Sequence, residues 1–178
     1  QIEEGTGREI HRQRQLLAGI APERFSEELK KLLCGKDVCR VLRDYPHVLG
    51  VWIPEILPCV GMDQNSPHHN RTLWEHILCS VGEVPPDSSL RLAMLLHDLS
   101  KPLCRVQLPD QTAAYPNHGE QSAQMAQEIL SRLKFDRKTI QEVTLLIRLH
   151  SLELDGTLLQ IKQLLGDLGQ EQLKKLLL

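Results

Sequence analysis

Four histidines of this chain share an unusual placement: His76, His97, His118 and His150 each fall on the apolar face of a different predicted helix. His76 lies one step from the stripe of Leu73, Ile77 and Val81, and His97 aligns with Leu90, Ala93 and Met94. His118 aligns with Ser122, Met125 and Ile129, and His150 with Ile140, Val143 and Ile147. These spacings follow the i, i+3, i+4, i+7 rule for one helix face. A single histidine in such a place is most often a hydrogen-bonded core residue. Four are different, because burying four unpaired imidazoles is costly unless something gathers them. Asp98 follows His97 directly, at the end of its helix. An imidazole and an adjacent carboxylate can reach one divalent ion, which would lower the pKa of a water for attack on a phosphoester.

Helical elements must position these groups. Apolar spacing predicts a first helix over residues 7–20 and a second opened by Pro22, with Phe25, Leu29, Leu32 and Leu33 on one face and Gly35 as its stop. Asp37 is placed to cap a short helix through Val41 and Leu42, and Pro46 opens another. The stretch 54–67 holds three prolines and a glycine and is expected to be a linker or irregular loop, which puts a domain boundary near residue 62. Thr72 and Glu75 form a capping box, in which hydroxyl and carboxylate satisfy each other's free amides, for a helix to about Val81. Asp87 or Ser88 caps the next, which reaches Pro102. Residues 103–116 lack periodicity and are expected to form a loop. Further helices are expected at 117–133, 137–150 (capped by Asp136), 157–165 and from 170 onward. The fold class is therefore all-α, with no sheet beyond a stray bridge.

Composition narrows the function. A chain of 178 residues suits one large domain or a domain with an appendage. Its hydrophobic content of 41% and charged content of 25% exclude a disordered chain, and only 3% aromatic residues require an aliphatic core. A net charge of −2 provides no general field for nucleic acid, so strong independent RNA binding is not expected. No apolar run approaches a membrane span, and the polar start QIEEGTGREI is not a signal peptide. Five irregularly spaced cysteines read as reduced thiols of a cytoplasmic protein. Cys34 and Cys39 lack the spacing of a zinc knuckle. P-loop, G-x-S-x-G and H-E-x-x-H motifs are absent.

The series NSPHHNRTLWEH, LRLAMLLHDLSKP, YPNHGEQSAQMAQEILSRLKF and LLIRLH resembles the HD superfamily of metal-dependent phosphohydrolases. More specifically, it resembles the HD domain of bacterial CCA-adding tRNA nucleotidyltransferases and their poly(A)-polymerase-like relatives, over most of residues 63–178. The region AGIAPERFSEELKKLL…VLRDYPHVLGVWIPEI is similar to the helical RNA-binding segment that precedes that domain, giving divisions at 1–62 and 63–178. The resemblance implies that His76, His97 and Asp98 hold a divalent ion such as Mg, Mn, Ni or Fe. His118 and His150 then fall where relatives place further ligands or phosphate contacts, and Lys101 matches a lysine implied to contact phosphate. As a bland alternative, Lys101 compensates a helix dipole. His11 and His47 are expected to be bystanders.

Several positions depart from the family. Ser100 stands where the family has glycine, and a serine there would be strained if the turn needed a positive φ. Thr72 replaces an acidic residue, and His150-Ser151 stands where some relatives carry His-Asp. The chain stops at LKKLLL, inside an apolar-periodic stretch, which suggests a piece of a longer protein. The family's late aspartate would follow Leu178, so partial metal occupancy is expected, with 10–100-fold or so tighter binding in a chain that reaches it. The Gly-Ser and D-x-D motifs of nucleotidyl transfer are absent. Three functions remain open. The chain could be the HD and RNA-binding portion of a tRNA nucleotidyltransferase-like protein, partnered with tRNA or other RNA but not with membrane or DNA. Alternatively it is a freestanding phosphohydrolase, or a metal-free helical scaffold.

Overall fold

A computed structural model describes residues 2–65, 71–152, 155 and 157–177. Side-chain caps start the helices that matter most for the histidines. The Thr72 hydroxyl accepts from the Glu75 amide (3.4 Å) and opens α5 at Leu73–Glu83. Asp87 accepts from the Leu90 amide (2.9 Å) and opens α6 at Ser88–Leu96. Asp136 accepts from the Thr139 amide (3.0 Å) and opens α9 at Arg137–Leu149. Such caps are each worth about 1 kcal/mol. Only half of the expected capping box at Thr72 forms. The Glu75 carboxylate instead takes a two-nitrogen ion pair from Arg43, with Nη2 at 2.8 Å.

The remaining helices are α1 (Glu4–Gln13), α2 (Pro22–Leu33), α3 (Val38–Asp44), α4 (Pro46–Leu49), α7 (Lys101–Cys104), α8 (His118–Arg132) and α10 (Leu158–Leu176). The expected first helix is split: it ends at Gln13, and 3-10 turns continue over Arg14–Gly19. Asp37 makes no side-chain cap. The proline-rich stretch is partly ordered as a 3-10 helix, Pro54–Cys59, while residues 66–70, including His68 and His69, lie outside the described residues. Within 103–116 a small antiparallel hairpin pairs β1 (Val106–Gln107) with β2 (Ala113–Ala114). Asp110 accepts from the Thr112 amide (3.0 Å) and Gln111 takes φ 68°, which closes the turn. Strands of two residues are too short to show alternation in a sequence. As expected, α10 is broken: Gly169 adopts φ 74° and ψ 168° between its two halves.

One aliphatic core joins residues from Leu29 to Ile147. Leu33, Leu42, Ile53 and Ile56 from the first third are fully buried with Leu73, Ile77, Leu92 and Leu96. Burying each such side chain favours folding by about 1.5–3 kcal/mol. α8 packs along α9, and α9 against α6. Arg91 of α6 is buried and donates to the Leu33 carbonyl at the end of α2 (2.5 Å) and to the Val84 carbonyl (3.3 Å). A cation there satisfies carbonyls that a helix end leaves unpaired. No helix among the described residues is long and apolar enough to cross a membrane.

Candidate metal centre

Each histidine reaches the site from a different helix. His76 lies in α5, and His97 closes the last turn of α6 with Asp98 one residue on. His118 opens α8, and His150 follows the last residue of α9. The apolar faces that suggested burial are the faces that pack these four helices together. Asp98 stands at the meeting point and is 1% exposed.

Two triads share that carboxylate. On one face His76 Nε2 and His97 Nε2 are 3.3 Å apart, and each is 3.2 Å from Asp98 Oδ2. On the other, His118 Nε2 and His150 Nε2 are 3.2 Å apart and lie 3.5 and 3.8 Å from Oδ1. Two metal–ligand bonds of about 2.1 Å at a tetrahedral angle end about 3.4 Å apart. The first triad is therefore close to one face of a coordination tetrahedron, and the second is a looser version of it. Either set of three could hold a divalent ion.

Tautomers sharpen the fit. His97, His118 and His150 each place Nδ1 against a backbone carbonyl, of Met94 (2.7 Å), Tyr115 (2.9 Å) and Ile147 (2.6 Å). A carbonyl can only accept, so Nδ1 carries the hydrogen, and whenever the ring is neutral its Nε2 lone pair faces inward. Lone pairs from His118 and His150 then face each other and a carboxylate oxygen, an arrangement that demands a cation. Carbonyl-oriented imidazoles are the usual supporting arrangement of metal ligands. Burial, reinforced by repulsion from His97, pushes the His150 imidazole down to about 4.

The carboxylate itself is strained for partners. Among the described residues neither Asp98 oxygen receives a well-directed hydrogen bond, although Lys101 Nζ forms an ion pair with Oδ2 at 2.8 Å. Burial alone would raise this carboxyl, but His97, His76 and Lys101 outweigh it and hold the group far below the ordinary carboxylate range. The same charge, added to burial, pushes the nearby Cys59 thiol up to about 12 and leaves it an inert core residue.

Lys101 is turned inward. Its Nζ also donates to Gln64 Oε1 (3.1 Å), and it stands over the Tyr115 ring, 5.4 Å from the centroid. The Tyr115 hydroxyl donates to the Gln64 carbonyl (2.6 Å), closing a small buried network. Gln64 and Tyr115 come from stretches without helical period, so nothing in their spacing marks them. Ser100 adopts φ −82° and ψ −14°, an ordinary conformation without strain. Its hydroxyl donates to the His118 carbonyl (2.9 Å), and its amide donates to Ser122 Oγ (3.2 Å). The serine thereby ties the turn bearing Asp98 to the helix bearing His118. His11 stacks on Tyr45 with ring centroids 4.9 Å apart, outside both triads, and His47 is exposed.

A helical bundle whose histidines and His-Asp pair converge in this way defines a class. Residues 73–177 match the HD domain, and the chain belongs to that family. Residues 1–46 match the family described as a probable RNA and SrmB-binding site of polymerase A. The chain is similar to the CC-adding tRNA nucleotidyltransferase of Thermus thermophilus, with 36% identity over 138 residues, covering 73% of this chain and 32% of that protein. It is also similar to the A-adding tRNA nucleotidyltransferase of Deinococcus radiodurans, with 29% identity over 151 residues, covering 78% and 35%. The chain spans about a third of the length of these relatives.

Proposed function

We propose that residues 63–178 form a divalent-metal phosphohydrolase unit of a tRNA nucleotidyltransferase-like protein, and that residues 1–62 contribute to holding RNA. The triangle of His76, His97 and Asp98, with edges of 3.2 to 3.3 Å, carries this reading. His76, His97 and Asp98 would hold one ion, and Asp98, His118 and His150 a second. A bound divalent ion supplies Lewis-acid polarisation of a phosphoryl oxygen and an acidified water. The protein's own groups do the rest. Backbone carbonyls fix the imidazole tautomers, Asp98 stays ionised, and Lys101 holds that carboxylate in place rather than reaching for phosphate. Similarity to two tRNA-acting enzymes and the match at residues 1–46 support tRNA as the macromolecular partner.

Hydrolysis of bis(p-nitrophenyl) phosphate by the manganese-loaded protein tests the reading. Turnover should fall at least about 100-fold in His97→Ala, since losing an ion-holding group removes the stabilised transition-state charge. Undiminished turnover in that variant would sink the phosphohydrolase assignment. A tRNA titration at two salt concentrations tests the partner, because phosphate contacts weaken steeply as salt rises.

A further inference from the structure

The buried ammonium of Lys101 competes for the oxygen that a divalent ion would need. Its Nζ lies 2.8 Å from Asp98 Oδ2, which His76 and His97 also approach, at 3.2 Å each. An ion bonded to that oxygen at about 2.1 Å would sit less than about 5 Å from the ammonium. Like charges that close together in a poorly solvated place repel strongly. Lys101 is 5% exposed, so water is not there to take up its charge. Whatever else holds the ammonium therefore bears on the ion.

Gln64 does so. It is fully buried, and its Oε1 accepts from Lys101 Nζ at 3.1 Å. Its Nε2 donates to the Arg71 carbonyl (3.4 Å), which turns the nitrogen toward Arg71 and the oxygen toward the lysine. The backbone around it is fixed as well. The Gln64 carbonyl accepts from the Tyr115 hydroxyl (2.6 Å), the Asp63 carbonyl from Arg105 Nη1 (3.4 Å), and the Asn65 carbonyl from the Ala113 amide (2.8 Å). Residues 63–65 are thereby stitched to the β1–β2 hairpin and its flanks. The Tyr115 ring, with its centroid 5.4 Å from Nζ, offers the ammonium its electron-rich face. A neutral oxygen and a ring hold a cation without cancelling its charge. The ammonium can then stay on Asp98 in the metal-free protein and still keep partners when an ion takes Oδ2.

Resting on the metal reading above, we propose that Gln64 is a positioning residue: it shares the Lys101 ammonium with Asp98 and so sets how tightly the His76, His97 and Asp98 triad takes a divalent ion. Without the Gln64 oxygen, the ammonium leans on Oδ2 and contests it with the ion. With that oxygen, the lysine yields part of its hold on the carboxylate and remains buried without losing every polar partner. Gln64 acts through Lys101 and touches neither the ion nor a substrate.

Calorimetric titration of the full chain with manganese provides the test, read at the tighter of its binding steps. Gln64→Leu keeps most of the volume but removes the oxygen, and should weaken that step about tenfold, the lower end of what supporting groups contribute to a metal site. Tyr115→Phe frees the Gln64 carbonyl but leaves the ring over Lys101, and should weaken it about threefold, the worth of one hydrogen bond. A merely structural role is separated by a second background. In Lys101→Met, either substitution should change manganese affinity by less than about twofold, because the effect runs through the lysine. If Gln64→Leu does not fold, Tyr115→Phe with and without Lys101→Met decides by the same comparison. Manganese binding that is unchanged or tightened by these substitutions, or weakened equally with and without Lys101, overturns this proposal and leaves the metal reading standing. If manganese does not bind the unsubstituted protein, both fall.

Discussion

The two faces of Asp98 are built from the same parts but are not equivalent. On the Oδ2 face, His76 and His97 form an almost equilateral triangle with the oxygen, and the Lys101 ammonium sits within 2.8 Å. On the Oδ1 face, His118 and His150 are as close to each other, but they stand 3.5 and 3.8 Å from the oxygen. The difference arises from where these groups sit in the chain. His97 and Asp98 are neighbours at one helix end, so their spacing is nearly fixed by local backbone. His118 and His150 depend on how α8 and α9 dock, which the Ser100 and Ser122 hydroxyls adjust. One face is preorganised, and the other would have to close slightly to hold an ion.

Removing the shared group should produce the largest effect. Asp98→Ala takes a ligand from both faces, and divalent binding should weaken by at least about 100-fold at each, more than losing a supporting contact costs. Lys101→Met separates the faces. It leaves a buried carboxylate without its counter-charge, a loss of about 3–5 kcal/mol in the metal-free protein. Metal binding on the Oδ2 face should be preserved or tightened, because a like charge has gone. Urea denaturation with and without manganese measures both.

Acid should act next, through the Oδ1 face. His150 is held neutral in the fold at about 4 against 6.5. Its unfolded form takes up a proton first, so its contribution is fully present above pH 6.5 and is lost as pH falls toward 4, by at most about 3 kcal/mol. Denaturation midpoints of metal-free protein across that window should fall, and His150→Gln should flatten the slope. Ser100→Ala should cost about 1 kcal/mol for its hydroxyl bonds and weaken the Oδ1 face more than the Oδ2 face. Equal loss at both faces would show that Ser100 merely supports the turn.

Much of this arrangement is legible in the residues. Thr72, Asp87, Asp136 and Thr157 all cap the helices that follow them. The positions of His76, His97, His118 and His150 on apolar stripes lead directly to their convergence, because stripes are what helices pack with. Asp37 fails as a cap, and Glu75 leaves its capping box for Arg43, since a partner 32 residues away outcompetes a local amide. Gln64, Tyr115 and Ser122 acquire their roles only when distant segments meet. The unstrained Ser100 is similar. The backbone takes a right-handed turn at that position, where a positive φ would strain a serine.

Asp98 and its imidazoles are proposed to be a place for a divalent cation. A crystal of the protein grown with manganese, with anomalous scattering recorded at the metal edge, tests that directly. An anomalous peak should lie about 2.0–2.2 Å from His76 Nε2, His97 Nε2 and Asp98 Oδ2, with a weaker peak between His118 and His150. Manganese bound elsewhere on the protein, with no peak at either face of Asp98, would contradict the account.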